Sequence, residues 1–427
     1  MLTKTLAWLC RLLVGVLFIF SGFVKSIDPW GTVFKIQDYL NFIDLPLWPN
    51  LVVTGVFLLC ILEFLTGVFI LTGSFRKSWP WVAAAIMVFM TPLTLWIAIK
   101  NPVPDCGCFG DALVISNWAT FWKNIVLDIA IVYLILHNRE IPPLINPYLQ
   151  WITFSTSAIY ILIIAFYGYS FQPLIDFRQY PVGSTLVSDA EGESGPQYVF
   201  VYKKGDEVME FGINDNLPDE EEGWNFIERK KITEENNFKD DSEFKIWDIE
   251  GEEDLTSEAL EPDGEELIIL SPSLVEVSPA TTWKLNALYD WSRENDIRMI
   301  AIVAANREEI EQWEDLSMSE YPVYTAEDTQ IKQLVRGNPG VVFLKNGVIE
   351  WKSSLKAIDI DALIQEGNDT GIYNITNANN IVLLNFTYLY IGAIIFLAVL
   401  SLFPALASKL SLSKTGRYVT HDDKTLP

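Results

Sequence analysis

The sequence predicts an α-helical membrane protein of six spans that carries a separate α/β domain outside the bilayer. Three observations lead there. Half of the 427 residues are hydrophobic, yet the net charge is −25, a combination that only makes sense if apolar and charged residues occupy different segments. They do: residues 170–378 hold 17 Lys and Arg against 45 Asp and Glu, a charge of −28, which leaves +3 for the rest of the chain. Six apolar runs also reach the roughly 20 residues that a bilayer core of about 30 Å demands of a helix.

The runs cover about 5–24, 51–72, 80–99, 119–136, 150–169 and 381–405. Trp79, Trp81 and Trp96 bracket the third, and Trp118 and Trp122 open the fourth, as suits an amphipathic ring at the headgroups. No small-x-small cleavage site follows "LLVGVLFIFSGFVKS" and further spans come soon after, so the first run reads as a retained helix and not a signal peptide. Lys4, Arg11, Arg76, Lys77, Arg139, Lys409, Lys414, Arg417 and Lys424 fall on one side if both termini are cytoplasmic. The expected localisation is therefore a bacterial inner membrane, with both termini and the tail 406–427 inside. Loop 25–50, loop 100–118 and the acidic segment then lie in the periplasm.

Within the acidic segment, residues 170–243 read as a β-rich extension. A hairpin is expected around Lys204-Gly205-Asp206, and "NLPDEEEGW" and "EENNFKDDSE" read as solvated loops. Beyond it strand and helix signals alternate. "EELIIL" (265–270) and "IRMIAIVAA" (297–305) are short, branched and apolar, as buried strands are. Helical spacing joins Trp283, Leu285, Leu288 and Trp291 between them, and "REEIEQWEDL", "DTQIKQLVRG" and "IDIDALIQE" suggest further helices. "GVVFLKNGVIEWK" (340–352) predicts a hairpin turning at Asn346-Gly347. There is no nucleotide-binding signature, and no nucleic-acid partner is expected.

This order, with "FKIWDIEGEEDLTSEAL" ahead of it and "GNPGVVFLKNGVIEWK" within it, resembles the thioredoxin-like superfamily over residues 244–367. The resemblance implies a cis-proline at Pro339. Where active members carry Cys-x-x-Cys this chain has "SPSLVEVSPATTW" without a cysteine. Such a domain cannot exchange disulfides and is expected to bind or position a partner.

Charged residues inside the spans are costly and so mark candidate sites. Arg11 and Lys25 lie towards the two ends of the first span, Glu63 sits mid-membrane in the second, and Asp128 lies deep in the fourth. At 1.5 Å per residue Glu63 falls roughly 12–14 Å from the inner edge and Arg11 roughly 9 Å, which suggests a structural ion pair Arg11–Glu63, with Asp128 as a competing neighbour. A proton or ligand role for Glu63 is the other reading.

The segments "RLLVGVLFIFSGFVKSIDP", "LEFLTGVFILTG" and "DCGCFGD" make residues 1–140 resemble the DoxX/MauE family of four-helix bacterial membrane proteins. The resemblance implies a DoxX/MauE-like bundle followed by two further transmembrane helices, at 150–169 and 381–405. With a thioredoxin-like tail it resembles DoxX-like proteins of the Bacteroidetes type. DoxX-type members are linked to sulfur and thiol redox chemistry. MauE-type members are linked to maturation of the disulfide-rich periplasmic light chain of methylamine dehydrogenase. The implied partners are a periplasmic client or a thiol redox partner, beside membrane lipid.

Four cysteines are too few for a disulfide scaffold. By depth Cys10 and Cys60 cannot reach the outer pair, given the roughly 7 Å limit between bridged Cα atoms, and read as small hydrophobes. Cys106 and Cys108 remain, flanked by Asp105, Gly107, Gly110 and Asp111. Three readings stay open for them: a strained exchanging disulfide on the oxidising face, a structural turn, or a soft metal site of two thiolates. Asp105 and Asp111 are expected to discourage thiolate formation. The leading function is extracytoplasmic thiol–disulfide handling or client maturation, with a possible thiol–disulfide oxidoreductase activity. A quinone enters as electron acceptor only by analogy with other four-helix thiol oxidases. The competing readings are a non-enzymatic scaffold and, more weakly, a small-molecule or ion transporter.

Overall fold

The computed structural model describes residues 2–45, 48–101, 106–137, 142–186, 198–204, 207–212, 225–231, 244–260, 262–361, 363 and 377–417. Helices α1 (Leu2–Ile27), α3 (Pro49–Thr72), α4 (Trp79–Lys100), α5 (Asn117–Leu136) and α6 (Gln150–Ser170) form the membrane body. With the long C-terminal helix, six described helices are long and apolar enough to cross a bilayer. Their packing suits lipid: Leu9, Val88, Phe89, Ile129 and Phe166 face outwards, while Thr66, Thr94, Thr120, Asn124, Thr153 and Ser157 are buried between helices. Small and hydroxylated side chains let helices approach closely and satisfy one another where no water is available.

One segment expected as a loop is a helix. Residues 25–50 contain α2 (Pro29–Phe42), started by Asp28, whose carboxylate accepts from the Gly31 N–H at 3.0 Å, with Pro29 at the first helical position. An Asp N-cap followed by Pro is a sequence-level helix start, masked here by the low apolar content of the segment.

Three strands, β1 (Tyr198–Lys204), β2 (Glu207–Gly212) and β3 (Asn225–Lys231), form an antiparallel sheet in the order β2-β1-β3. The turn residues 205–206 expected between β1 and β2, and both acidic loops, lie outside the described residues. The following domain holds α7 (Thr256–Ala259), β4 (Glu265–Ser271), α8 (Thr282–Glu294), β5 (Arg298–Val303), α9 (Arg307–Ser317), β6 (Val323–Thr325), α10 (Asp328–Leu334), β7 (Gly340–Lys345) and β8 (Val348–Ser354). Its sheet runs β6-β5-β4-β7-β8, with β4, β5 and β6 parallel and β7 and β8 antiparallel to their neighbours.

The period of two in β4 sends Leu267 and Ile269 into one apolar layer and Ile268 and Leu270 into the other, as a sheet covered on both faces requires. Asn346 and Gly347 both have positive φ at the β7–β8 turn, the signature of a type I′ hairpin. The chain leaving α6 covers the β8 edge through hydrogen bonds between Gly183, Ser184 and Ile349. The Asn338–Pro339 peptide ahead of β7 is cis. Of the expected closing helix "IDIDALIQE", residues 360, 361 and 363 are helical and most of the remainder lies outside the described residues.

The last helix, α11 (Asn377–Arg417), continues well past the expected span end at 405. It packs on α6 through Ser157 and Tyr390 at 2.8 Å and stacked rings of Tyr160 and Tyr390 at 4.0 Å.

Candidate functional site

Helices α1 and α3 run antiparallel at unusually close range. A Cβ at Gly22 would meet the Phe64 backbone nitrogen at 2.4 Å, and one at Gly67 would meet that of Ile19 at 2.4 Å. The two missing side chains bring the backbones together and bring two charges into contact. Lys25 Nζ lies 2.8 Å and 3.0 Å from the two Glu63 carboxylate oxygens, with side chains only 3% and 4% exposed.

Glu63 therefore pairs with Lys25, not with Arg11 as expected from depth. The reason is side-chain direction. Helical side chains lean towards their own N-terminus, so on α1 Lys25 leans inwards to mid-membrane and Arg11 leans away from it. The Arg11 guanidinium instead bonds the carbonyls of Ile70, Leu71 and Pro142 at 2.8, 2.9 and 3.2 Å. Asp128 does not join the pair either; it accepts from the Thr91 hydroxyl at 2.9 Å.

Ser21, one turn before Lys25, connects this pair to the cysteine loop. Its Oγ accepts from Lys25 Nζ at 2.8 Å, and its single proton has two acceptors within reach, Glu63 Oε2 at 2.8 Å and the Cys108 carbonyl at 2.9 Å. The Tyr39 hydroxyl of α2 donates to the Cys106 carbonyl at 2.8 Å. Between the cysteines Gly107 takes φ +63°, a backbone state open mainly to glycine, and a Cβ there would also strike the Lys35 side chain at 2.4 Å. The Gly110 N–H closes the turn on the Gly107 carbonyl at 3.0 Å.

Both cysteines are free thiols, and they are not equivalent. The Cys108 thiol donates to the Cys106 sulfur. That bond, with Thr120 Oγ1 at 3.5 Å, the Cys108 backbone N–H at 3.2 Å and the charge of Lys123, outweighs burial and pulls Cys106 down to about 6. As the donor to Cys106, and as a buried group beside a thiolate, Cys108 is pushed well above the ordinary thiol range. The expectation that the flanking acids would oppose thiolate formation is corrected for Asp111 alone. Asp111 is drawn off by Arg336 at 3.4 Å and Lys35 at 3.6 Å, and Asp105 lies outside the described residues.

Phe109 anchors the loop against Phe20, ring centroids 5.3 Å apart, and Lys123 sits 4.2 Å over the Phe109 ring. A cavity opens beside Cys108, walled by Ser21, Lys25, Glu63, Met87, Lys123 and Asn124. Gly110, at φ +55°, lies against Val24. Among the described residues no group of three His, Cys, Asp or Glu could hold a metal.

The outer domain closes over this region through Arg336, in the loop before Pro339. Its Nε lies 3.0 Å from both Asp28 oxygens and its Nη2 2.9 Å from Oδ2, while its backbone N–H donates to Gln172 at 3.1 Å. Burial would raise the Asp28 carboxyl, but Arg336 overrides it and holds the group below the usual carboxylate range. Behind Arg336, Asn338 bonds the Ser271 hydroxyl and the Ser273 carbonyl, both at 2.7 Å. Sequence reading missed Ser21, Thr120, Lys123, Tyr39 and Arg336. Ser21 four residues before Lys25, and Thr120 three before Lys123, carried a same-face signal; Arg336 carried none.

Residues 3–137 match the family model described as methylamine utilisation protein MauE. Residues 196–235 match a domain of unknown function, DUF8463. No curated protein and no solved structure matches the chain.

Proposed function

We propose that this MauE-like membrane protein handles thiols and disulfides of an extracytoplasmic client through Cys106 and Cys108. The observation that carries the reading is the geometry of two free thiols one glycine apart, with the Cys106 sulfur 3.2 Å from the Cys108 backbone N–H and 3.5 Å from Thr120 Oγ1. These contacts lower Cys106, while its bond to Cys106 and burial raise Cys108. Such a split separates an attacking thiolate from a resolving thiol. In the reducing direction Cys106 Sγ⁻ attacks one sulfur of a client disulfide, and the other client sulfur leaves as thiolate. Cys108, losing its proton to that leaving thiolate, then attacks Cys106 Sγ. The second client sulfur leaves as a thiolate and takes a proton from water, so the client is released as a dithiol and the pair becomes a disulfide. The reverse sequence oxidises a client dithiol and reduces the pair. A bond closed across one residue is strained, and strain favours this oxidising direction. Regeneration then needs a two-electron acceptor, for which a quinone rests on analogy alone.

The outer domain is proposed to be thioredoxin-like. Its strand order and the cis-proline loop support that fold. Without cysteines in residues 244–367 it docks the client and does no exchange itself. The proposed placement is a bacterial inner membrane, with the termini inside and this domain in the periplasm.

The test traps thiols with an alkylating reagent in cells carrying wild type, Cys106→Ala or Cys108→Ala. Cys108→Ala should accumulate a client mixed disulfide on Cys106, and Cys106→Ala should not. If neither variant changes client oxidation and no mixed disulfide forms, the loop is a structural turn and the scaffold reading stands instead.

A further inference from the structure

The opposite end of the bundle holds a second site, independent of the cysteines. There the α3 helix ends at Gly73, and a cavity is lined by Arg11, Phe69, Gly73, Arg76, Pro80 and His137. Three of the eight described lining residues are basic, and none is acidic.

Arg11 supplies the second observation. It is 4% exposed, and no acid pairs with it among the described residues. Its Nε and Nη1 bond backbone carbonyls, but Nη2 is buried without a hydrogen-bond partner. That nitrogen lies against Gly73 in the cavity wall, where a Cβ would approach it to 2.4 Å. The Trp8 ring covers the guanidinium at 4.7 Å. Carbonyl oxygens carry partial charge only, so a buried guanidinium held by them alone leaves most of its charge uncompensated. His137 is fixed by its Nδ1 contact to the Tyr133 carbonyl at 3.1 Å and by stacking on the Tyr133 ring at 4.2 Å.

We infer that this cavity binds a phosphate anion, carried by an anionic phospholipid headgroup or free in solution. Phosphate suits the site because a guanidinium presents several donors to several oxygens. Basic pockets between transmembrane helices at the level of a leaflet are where anionic headgroups bind. An occupant would supply the negative charge that Arg11 lacks among the described residues, so binding and bundle stability are linked.

The experiment uses the full chain purified in a neutral maltoside detergent. Thermal unfolding and native mass spectrometry are measured with added dioleoyl phosphatidylglycerol, dioleoyl phosphatidylcholine or inorganic phosphate. Because Arg11→Gln would also uncap α3, the main variant is Arg76→Gln with His137→Gln. The expected result is a retained phosphatidylglycerol that raises the midpoint, with affinity falling ~tenfold or more in the double variant, the scale of a lost charged hydrogen bond. If inorganic phosphate stabilises as well as the lipid and the variant loses both responses, the anion is free phosphate. Equal stabilisation by phosphatidylcholine, or a double variant that responds as wild type does, overturns the site.

Discussion

Arg336 of the outer domain and Asp28 at the head of α2 form a fork-to-fork ion pair across 308 residues of chain, with Nη2 2.9 Å from Oδ2 and Nε 3.0 Å from both oxygens. The same guanidinium reaches Asp111 in the cysteine loop at 3.4 Å. One side chain therefore ties the membrane body, the thiol loop and the outer domain together.

Arg336→Gln should loosen the outer domain from the bundle. Removing one partner of a buried pair leaves the other charge uncompensated, at a cost of about 3–5 kcal/mol. Limited proteolysis should cut the variant near residues 170–186 faster than wild type, and Asp28→Asn added to it should cost little more. The pH dependence has a definite sign. The folded carboxyl of Asp28 is depressed, so its contribution is complete above its unfolded value of about 3.9 and is lost as pH falls through the lower folded value. Docking should be constant from pH 8 to pH 5 and weaken only below about pH 4; a loss centred near neutrality would refute the assignment.

Alkylation by iodoacetamide, followed by mass spectrometry as a function of pH, should find Cys106 half-ionised near 6 and Cys108 inert until strongly alkaline conditions. In Cys108→Ala the main stabilising bond to the Cys106 sulfur is gone, and the Cys106 midpoint should move up towards the ordinary value of about 8.5. Two equal transitions near that value in wild type would show that the thiols are uncoupled.

Lys25→Met and Glu63→Gln should each destabilise the bundle, the lysine variant by about 3–5 kcal/mol because it strands a buried carboxylate. The double variant should recover much of that loss. A thermodynamic cycle between Arg11 and Glu63 should give coupling within about 0.5 kcal/mol. Strong coupling there, with none between Lys25 and Glu63, would reverse the pairing described above.

Gly22→Leu should push α1 off α3, since even a Cβ lies 2.4 Å from the Phe64 backbone nitrogen, and backbone cannot yield as a flexible side chain does. A loss of at least about 1–3 kcal/mol is expected, together with a rise of the Lys25–Glu63 separation that spin labels at positions 25 and 63 would not report cleanly. Labels on α1 and α3 at the exposed positions Val16 and Leu62, nearer the crossing, would report it.

Much of the architecture follows from local chemistry. The spans are legible because a bilayer demands uninterrupted apolar length, and the turn at Asn346-Gly347 because positive φ at two successive residues selects those side chains. The outer strands are legible because branched apolar runs such as "EELIIL" have no other stable place. Helix α2 was missed because its cap, Asp28, sits in a segment too polar to read as a span. The Lys25–Glu63 pair was within reach of the sequence once the lean of helical side chains is added to depth, and depth alone chose the wrong cation.

By itself the sequence determined which segments are long and apolar enough to enter the membrane, where β4, β5 and the β7–β8 hairpin fall, and that Cys106 and Cys108 stand apart from the other cysteines. Only the tertiary structure decided what those cysteines touch. Thr120 and Lys123 come from α5, Ser21 from α1 and Tyr39 from α2, while Arg336, which holds Asp111 of the same loop, comes from more than two hundred residues on. Covalent proximity sets which side chains share a helix face. A thiol's ionisation depends on every donor and charge within a few ångströms, and close packing brings those from anywhere in the chain.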